Sequence, residues 1–163
     1  MRSARSPRTT ARPATSGLMA IDSGQRLILA DTSVWVEHDR ATESAADHRL
    51  TDLIASADLL ATTEPVIMEV LAGARNAERE HELRRLLGRA FLLPMETPTD
   101  FDGAVRIYRR CRRAGITPRG LIDCMIASVA SRTGASLLAH DADLARVARV
   151  IGVELDSASL GAT

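Results

Sequence analysis

Short apolar runs recur along this chain, and a stretch with helical spacing follows each of them. Residues 27–30 read LILA, 59–62 LLAT, 91–94 FLLP and 136–141 SLLAHD. Brief aliphatic runs bounded by polar residues are strand patterns. Between them, residues 42–57 place Ala46, Leu50, Leu53, Ile54 and Ala57 on one helical face. Residues 63–74 begin with Thr63 as a hydroxyl N-cap and Pro65 in the first turn, and end near Gly73. Residues 77–90 form a charged amphipathic pattern with a Leu83, Leu86, Leu87 stripe. Helices are predicted over 99–114, 119–134 and 142–150, and a last edge strand over 152–155. Parallel strands need crossover connections, and crossovers put helices on both faces of the sheet. The expected fold is α/β, a three-layer sandwich with a mostly parallel sheet of four to five strands flanked by helices.

Residues 26–163 are expected to form a single domain. Residues 1–25 are rich in Arg, Ser, Thr and Pro without apolar periodicity, and read as a disordered tail. A transit peptide, or translation starting at Met19, are the other readings of this segment; a secretory signal is excluded by the lack of an apolar core. No apolar run reaches the length of a membrane span, and the expected setting is cytoplasmic.

The chain carries 21 basic and 21 acidic residues, and every basic one is arginine. Without lysine there is no phosphate-binding loop of the GxxxxGK type and no lysine Schiff base. Four arginines and one acid fall in the tail, leaving 17 arginines against 20 acids, a net of −3. A domain of that charge does not hold nucleic acid by bulk attraction, so any such contact must be local or bridged by a cation. Cys111 and Cys124 lack metal-ligand spacing and read as reduced thiols. The four histidines form no zinc pattern.

Asp31 and Asp141 both follow a predicted strand directly. That is where open parallel sheets present functional groups, although an aspartate there also caps the next helix. Asp123 interrupts the apolar stripe of Ile126, Ala127 and Ala130. Glu69 has small neighbours, Ala72 and Gly73, at i+3 and i+4. Glu43, Asp47, Glu78, Glu80 and Glu82 read as solvated helix faces. Buried carboxylates without partners cost several kcal/mol each. If the four acids converge, something positive sits among them, and all-oxygen ligands suit Mg²⁺ or Mn²⁺.

With those positions in hand, LILADTSVWVE, TEPVIMEVLAGA, LIDCMIASVA and SLLAHDADLARV resemble, in order and spacing, the PIN domain and within it the VapC toxins of bacterial toxin–antitoxin modules. The resemblance covers residues 27 to about 155. It implies that Asp31, Glu69, Asp123 and Asp141 match the family's acidic quartet for Mg²⁺ or Mn²⁺, with Asp143 able to replace or assist Asp141. Ser33 matches a hydroxyl position that orients ligand or water; its other role is a helix cap. Leu144 stands where the family usually has an aromatic. The implied activity is endoribonuclease: metal-assisted hydrolysis of RNA that leaves 5′-phosphate ends. The implied partners are an RNA substrate, a cognate VapB-type antitoxin and a second copy in a homodimer. Arg112, within RRCRR, and Arg119 are candidates for substrate contact, against a solvated face. Trp35 and Val36 are candidates for the antitoxin groove, against a core role for Trp35.

Two other readings are open. One is a different carboxylate–Mg²⁺ phosphotransfer enzyme. Ser33 stands where a haloacid-dehalogenase-type phosphatase needs a second aspartate, and a phospho-receiver needs a lysine. The other is a catalytically degenerate PIN domain that serves as an interaction module.

Overall fold

Three buried triplets and one exposed pair make the sheet. A computed structural model describes residues 26–56 and 59–160, so the tail read at residues 1–25 lies outside the described residues. The elements run β1 (Ile28–Ala30), α1 (Thr32–Arg40), α2 (Ala45–Ser56), β2 (Leu60–Thr62), α3 (Glu64–Ala72), α4 (Ala77–Leu87), β3 (Phe91–Leu92), α5 (Thr99–Arg113), α6 (Leu121–Thr133), β4 (Ser136–Leu138) and α7 (Ala142–Ile151). The strands pair in the order β3-β2-β1-β4, all parallel. β1, β2 and β4 are buried at every residue, as strands covered on both faces must be, and β3 is an exposed edge.

The chain leaves β1 on one side for β2 and β3, then crosses to the other side for β4. The strand order therefore switches between β1 and β4, which opens a crevice beyond their carboxyl ends. Register is tight there: Ala30 pairs with Leu138, and the Asp31 amide donates to the Leu138 carbonyl at 2.9 Å.

Two sequence expectations change. The edge strand at 152–155 shrinks to one parallel bridge between Leu137 and Leu155. The Asp156 carboxylate accepts from the Ala158 amide at 3.0 Å and turns the chain before a second pair forms. Asp47 is not solvated: at 6% exposure it accepts from the Glu43 amide at 3.0 Å and lies 2.9 Å from His38 Nδ1. A polar cluster between α1 and α2 thus takes in a carboxylate that helical spacing alone places outside. Trp35 sits in the core, as expected.

α5 and α6 pack antiparallel around a buried ion pair. Asp100 is fully buried and accepts from Arg132 Nη2 at 2.8 Å, Ser128 Oγ at 3.1 Å and the Glu96 amide at 2.8 Å. Burial works against its charge, but these donors outweigh burial and hold the carboxyl below the usual range. The helices approach closely because Gly103 faces Ser128. A Cβ on residue 103 would stand 2.1 Å from Ser128 Oγ. Gly103→Ala must push Ser128 off Asp100, and we expect a loss of about 1–3 kcal/mol in urea unfolding; unchanged stability would contradict this packing.

Candidate metal centre

Four separate elements deliver carboxylates to one place. Asp31 follows β1, Glu69 lies on α3, Asp123 is in the first turn of α6, and Asp141 precedes α7. All four line an open hollow of about 290 Å³, with Thr32, Ser33, Val36, Glu37 and His140 between them.

Each acid except Asp123 is held by a neighbour. Asp31 is 5% exposed and caps α1: its Oδ2 accepts from the Ser33 amide at 3.0 Å and from Ser33 Oγ at 2.6 Å. Ser33 Oγ in turn accepts from the His140 amide at 2.9 Å, which ties the segment after β4 to the end of β1. Thr32 Oγ1 donates to Glu69 Oε2 at 2.6 Å. Asp141 caps α7 through the Asp143 amide at 2.6 Å. The cap role and the placement in the hollow therefore hold together for both Asp31 and Asp141. The Asp123 carboxylate accepts no hydrogen bond among the described residues.

The electrostatics of this hollow are adverse. Burial pushes the Asp31 carboxyl up, and the charge on Glu69 adds to that, against the Ser33 and Thr32 hydrogen bonds. Burial also pushes Asp123 up to about 6, with further contributions from the charges on Asp31, Asp141, Glu69 and Asp143. Two arginines reach the rim. Arg119 pairs with Asp143, and its Nη1 lies 3.9 Å from Asp141 Oδ2. Arg146 Nη2 donates to Asp143 Oδ1 at 2.6 Å. Asp143 is thus neutralised from two sides and stands outside the residues lining the hollow. Arg112 is exposed on α5 and lines no part of it.

The residues fit a hard divalent cation. The donors are carboxylate oxygens, one of them has no internal partner, and their mutual repulsion is what a doubly charged ion relieves. Among the described residues, no three His, Cys, Asp or Glu side chains already stand at ligand spacing. The acids surround the hollow rather than close on its centre.

Three lining residues escaped the sequence reading: Thr32, Glu37 and His140. Glu37 is four residues after Ser33 and so shares its face of α1. His140 Nε2 lies 3.4 Å from Glu37 Oε2. Both were legible as neighbours of the predicted acids; His140 directly precedes Asp141.

Because the pKa of Asp123 is raised on folding, the unfolded chain releases this proton first. Its contribution to stability is fully present at low pH and falls as pH rises from about 4 towards 6 and beyond. Protons and cations compete for the same oxygens. We expect Mn²⁺ affinity by calorimetry to weaken as pH drops below about 6. Asp123→Asn should raise the melting temperature of the metal-free protein while removing the Mn²⁺ heat. A variant that melts lower and still binds would refute the assignment of repulsion to this residue.

The family model for the PIN domain matches residues 28–150. Ribonuclease VapC11 of Mycobacterium tuberculosis is 40% identical over 132 residues, which cover 80% of this chain and 98% of the relative. Among solved structures, VapBC2 from Rickettsia felis bound to a DNA fragment from its promoter superposes with a TM-score of 0.64 at 17% identity, over 80% of this chain and 97% of the other. DNA-bound VapBC from Salmonella typhimurium gives 0.63 at 20% identity, over 81% and 98%. The order of strands and helices, the acids at the strand ends and these matches agree: the chain belongs to the PIN domain family, in its VapC branch.

Proposed function

We propose that the chain is the endoribonuclease toxin of a type II toxin–antitoxin module, with Asp31, Glu69, Asp123 and Asp141 holding Mg²⁺ or Mn²⁺. The observation that carries this reading is the gathering of four acids from distant segments into one hollow where Asp123 lacks an internal partner. The family membership and the similarity to ribonuclease VapC11 support it. When bound, such an ion makes water a better nucleophile and neutralises charge on the phosphoryl oxygens.

The chain's own residues do the positioning. Ser33 fixes Asp31 Oδ2 through both its amide and its hydroxyl. Thr32 turns Glu69 inward. The α7 cap orients Asp141. Asp143 acts through Arg119, whose side chain is 77% exposed at the rim and can shift from Asp143 to a phosphate oxygen. The expected products carry 5′-phosphate and 3′-hydroxyl ends.

A second groove of about 580 Å³ adjoins Glu69. Trp35, Val36, Val70 and Leu83 give it apolar walls, and Asp39, Arg40 and Arg75 add charges. We assign it to the cognate VapB-type antitoxin, since the similar structures from Rickettsia felis and Salmonella typhimurium are VapBC assemblies. Phe101 and Val105, half exposed on one face of α5, suit the homodimer contact. No helix among the described residues is long and apolar enough to cross a membrane, in keeping with action in the cytoplasm.

Purified chain should cut RNA with Mn²⁺ or Mg²⁺ and stop in EDTA. Asp31→Asn should lower the rate on the order of 100-fold or more, with folding kept because asparagine also caps helices. Sequencing of the new 5′ ends reads the reaction directly. Cleavage that survives both changes would overturn the proposal.

A further inference from the structure

Arg106, Arg109, Arg110 and Arg113 stand three and four residues apart and form one stripe along α5. The stripe borders a groove of about 750 Å³ between α5 and α6, whose base holds Ser128 and the Asp100–Arg132 pair. None of the four meets a carboxylate among the described residues. Eight other arginines form ion pairs, among them Arg26, Arg49, Arg79, Arg84, Arg119 and Arg146, whereas Arg40, Arg85, Arg89, Arg112 and Arg149 form none among the described residues. Asp102, one turn before Arg106, lies outside the groove lining. Four unmatched guanidinium groups lining one groove concentrate positive charge on a domain of net charge −3.

We propose that this groove holds the sugar–phosphate backbone of the RNA strand beyond the segment seated at the acids. The inference rests on the ribonuclease reading and extends it to the substrate's path. Orientation supports it. Asp100, at the start of α5, is bonded to Ser128 and Arg132, late in α6, so the helices run antiparallel. Arg113, at the end of α5, therefore lies towards the start of α6, the turn that carries Asp123. From Asp100 to Arg113 the groove spans about 20 Å at 1.5 Å per residue, enough for several nucleotides.

The lining chemistry favours RNA over an acidic protein segment. Thr99 and Ser131 stand beside the arginines, and hydroxyl and guanidinium groups are the usual phosphate donors. Ile107 is buried and Ile151 partly buried in the groove, so it offers little apolar surface to anchor a protein partner. The exposed apolar residues of α5, Phe101 and Val105, share a face with Arg112, while Arg106 and Arg110 lie away from it and Arg109, four residues after Val105, stands between the two.

The test compares Arg106→Ala/Arg110→Ala/Arg113→Ala with the parent, both carrying Asp31→Asn so that a labelled 20-nucleotide RNA stays intact. Arg132 is left alone because it neutralises Asp100. Binding is followed by fluorescence anisotropy across a salt series. Each lost phosphate contact should reduce the log–log salt slope by about 0.7, so the triple variant should lose about 2 and bind roughly tenfold or more weakly at low salt. With Asp31 intact, the triple variant should cut the 20-nucleotide RNA less well and a tetranucleotide as fast as the wild type does. Arg85→Ala/Arg89→Ala, on α4, is the control for diffuse charge. Overturning results are an unchanged slope, a control that shifts the slope as much per arginine, or a variant that loses binding to polyglutamate while keeping RNA. If the wild-type chain cuts neither RNA, the ribonuclease reading itself falls and takes this inference with it.

Discussion

Repulsion among buried carboxylates governs the functional end of this protein. Asp31 is almost wholly buried at the end of a central strand, and Asp123 faces it from α6 with no hydrogen-bond partner. Both are pushed towards the protonated form, first by burial and then by neighbouring acids. Left alone, such a cluster weakens the fold at neutral pH. It persists because the rest of the structure holds it: β1 and β4 are locked in register, and Ser33 bridges Asp31 to the His140 amide across the strand switch. Strain of this kind at a strand terminus is the form in which α/β folds store binding capacity.

Arginine resolves the charge problem differently in three places. Asp100 is compensated permanently by Arg132 and serves packing. Asp143 is compensated at the rim by Arg119 and Arg146, through contacts exposed enough to exchange. The four acids of the hollow receive almost no such compensation, apart from the long approach of Arg119 to Asp141. The distribution separates structural carboxylates from those left available to a ligand. It also leaves the α5 stripe with positive charge that no internal acid uses.

Much of this was legible in the sequence, for physical reasons. The sheet showed itself because strands buried on both faces leave uninterrupted aliphatic runs, as at Ile28–Ala30 and Ser136–Leu138. Asp31 stood out because a charge directly after such a run falls at a strand's carboxyl end, and Asp141, three residues beyond β4, because it closes the next such segment. Asp123 stood out as a carboxylate on an apolar helical stripe. Strand order β3-β2-β1-β4 was not legible, since tertiary pairing carries no local signal. Neither was the burial of Asp47 and Asp100, whose partners come from other helices. The run RRCRR also misled by proximity: helical geometry sends Arg109, Arg110 and Arg113 to the groove and Arg112 away from it.

A divalent cation seated among the four acids is what the proposed chemistry requires, and anomalous diffraction from crystals grown with Mn²⁺ tests that most directly. A manganese peak bounded by carboxylate oxygens of Asp31, Asp123 and at least one of Glu69 and Asp141, at about 2.0–2.3 Å, is the predicted result. Peaks only at the surface, with Asp123 protonated or bonded to a neighbouring side chain instead, would contradict it.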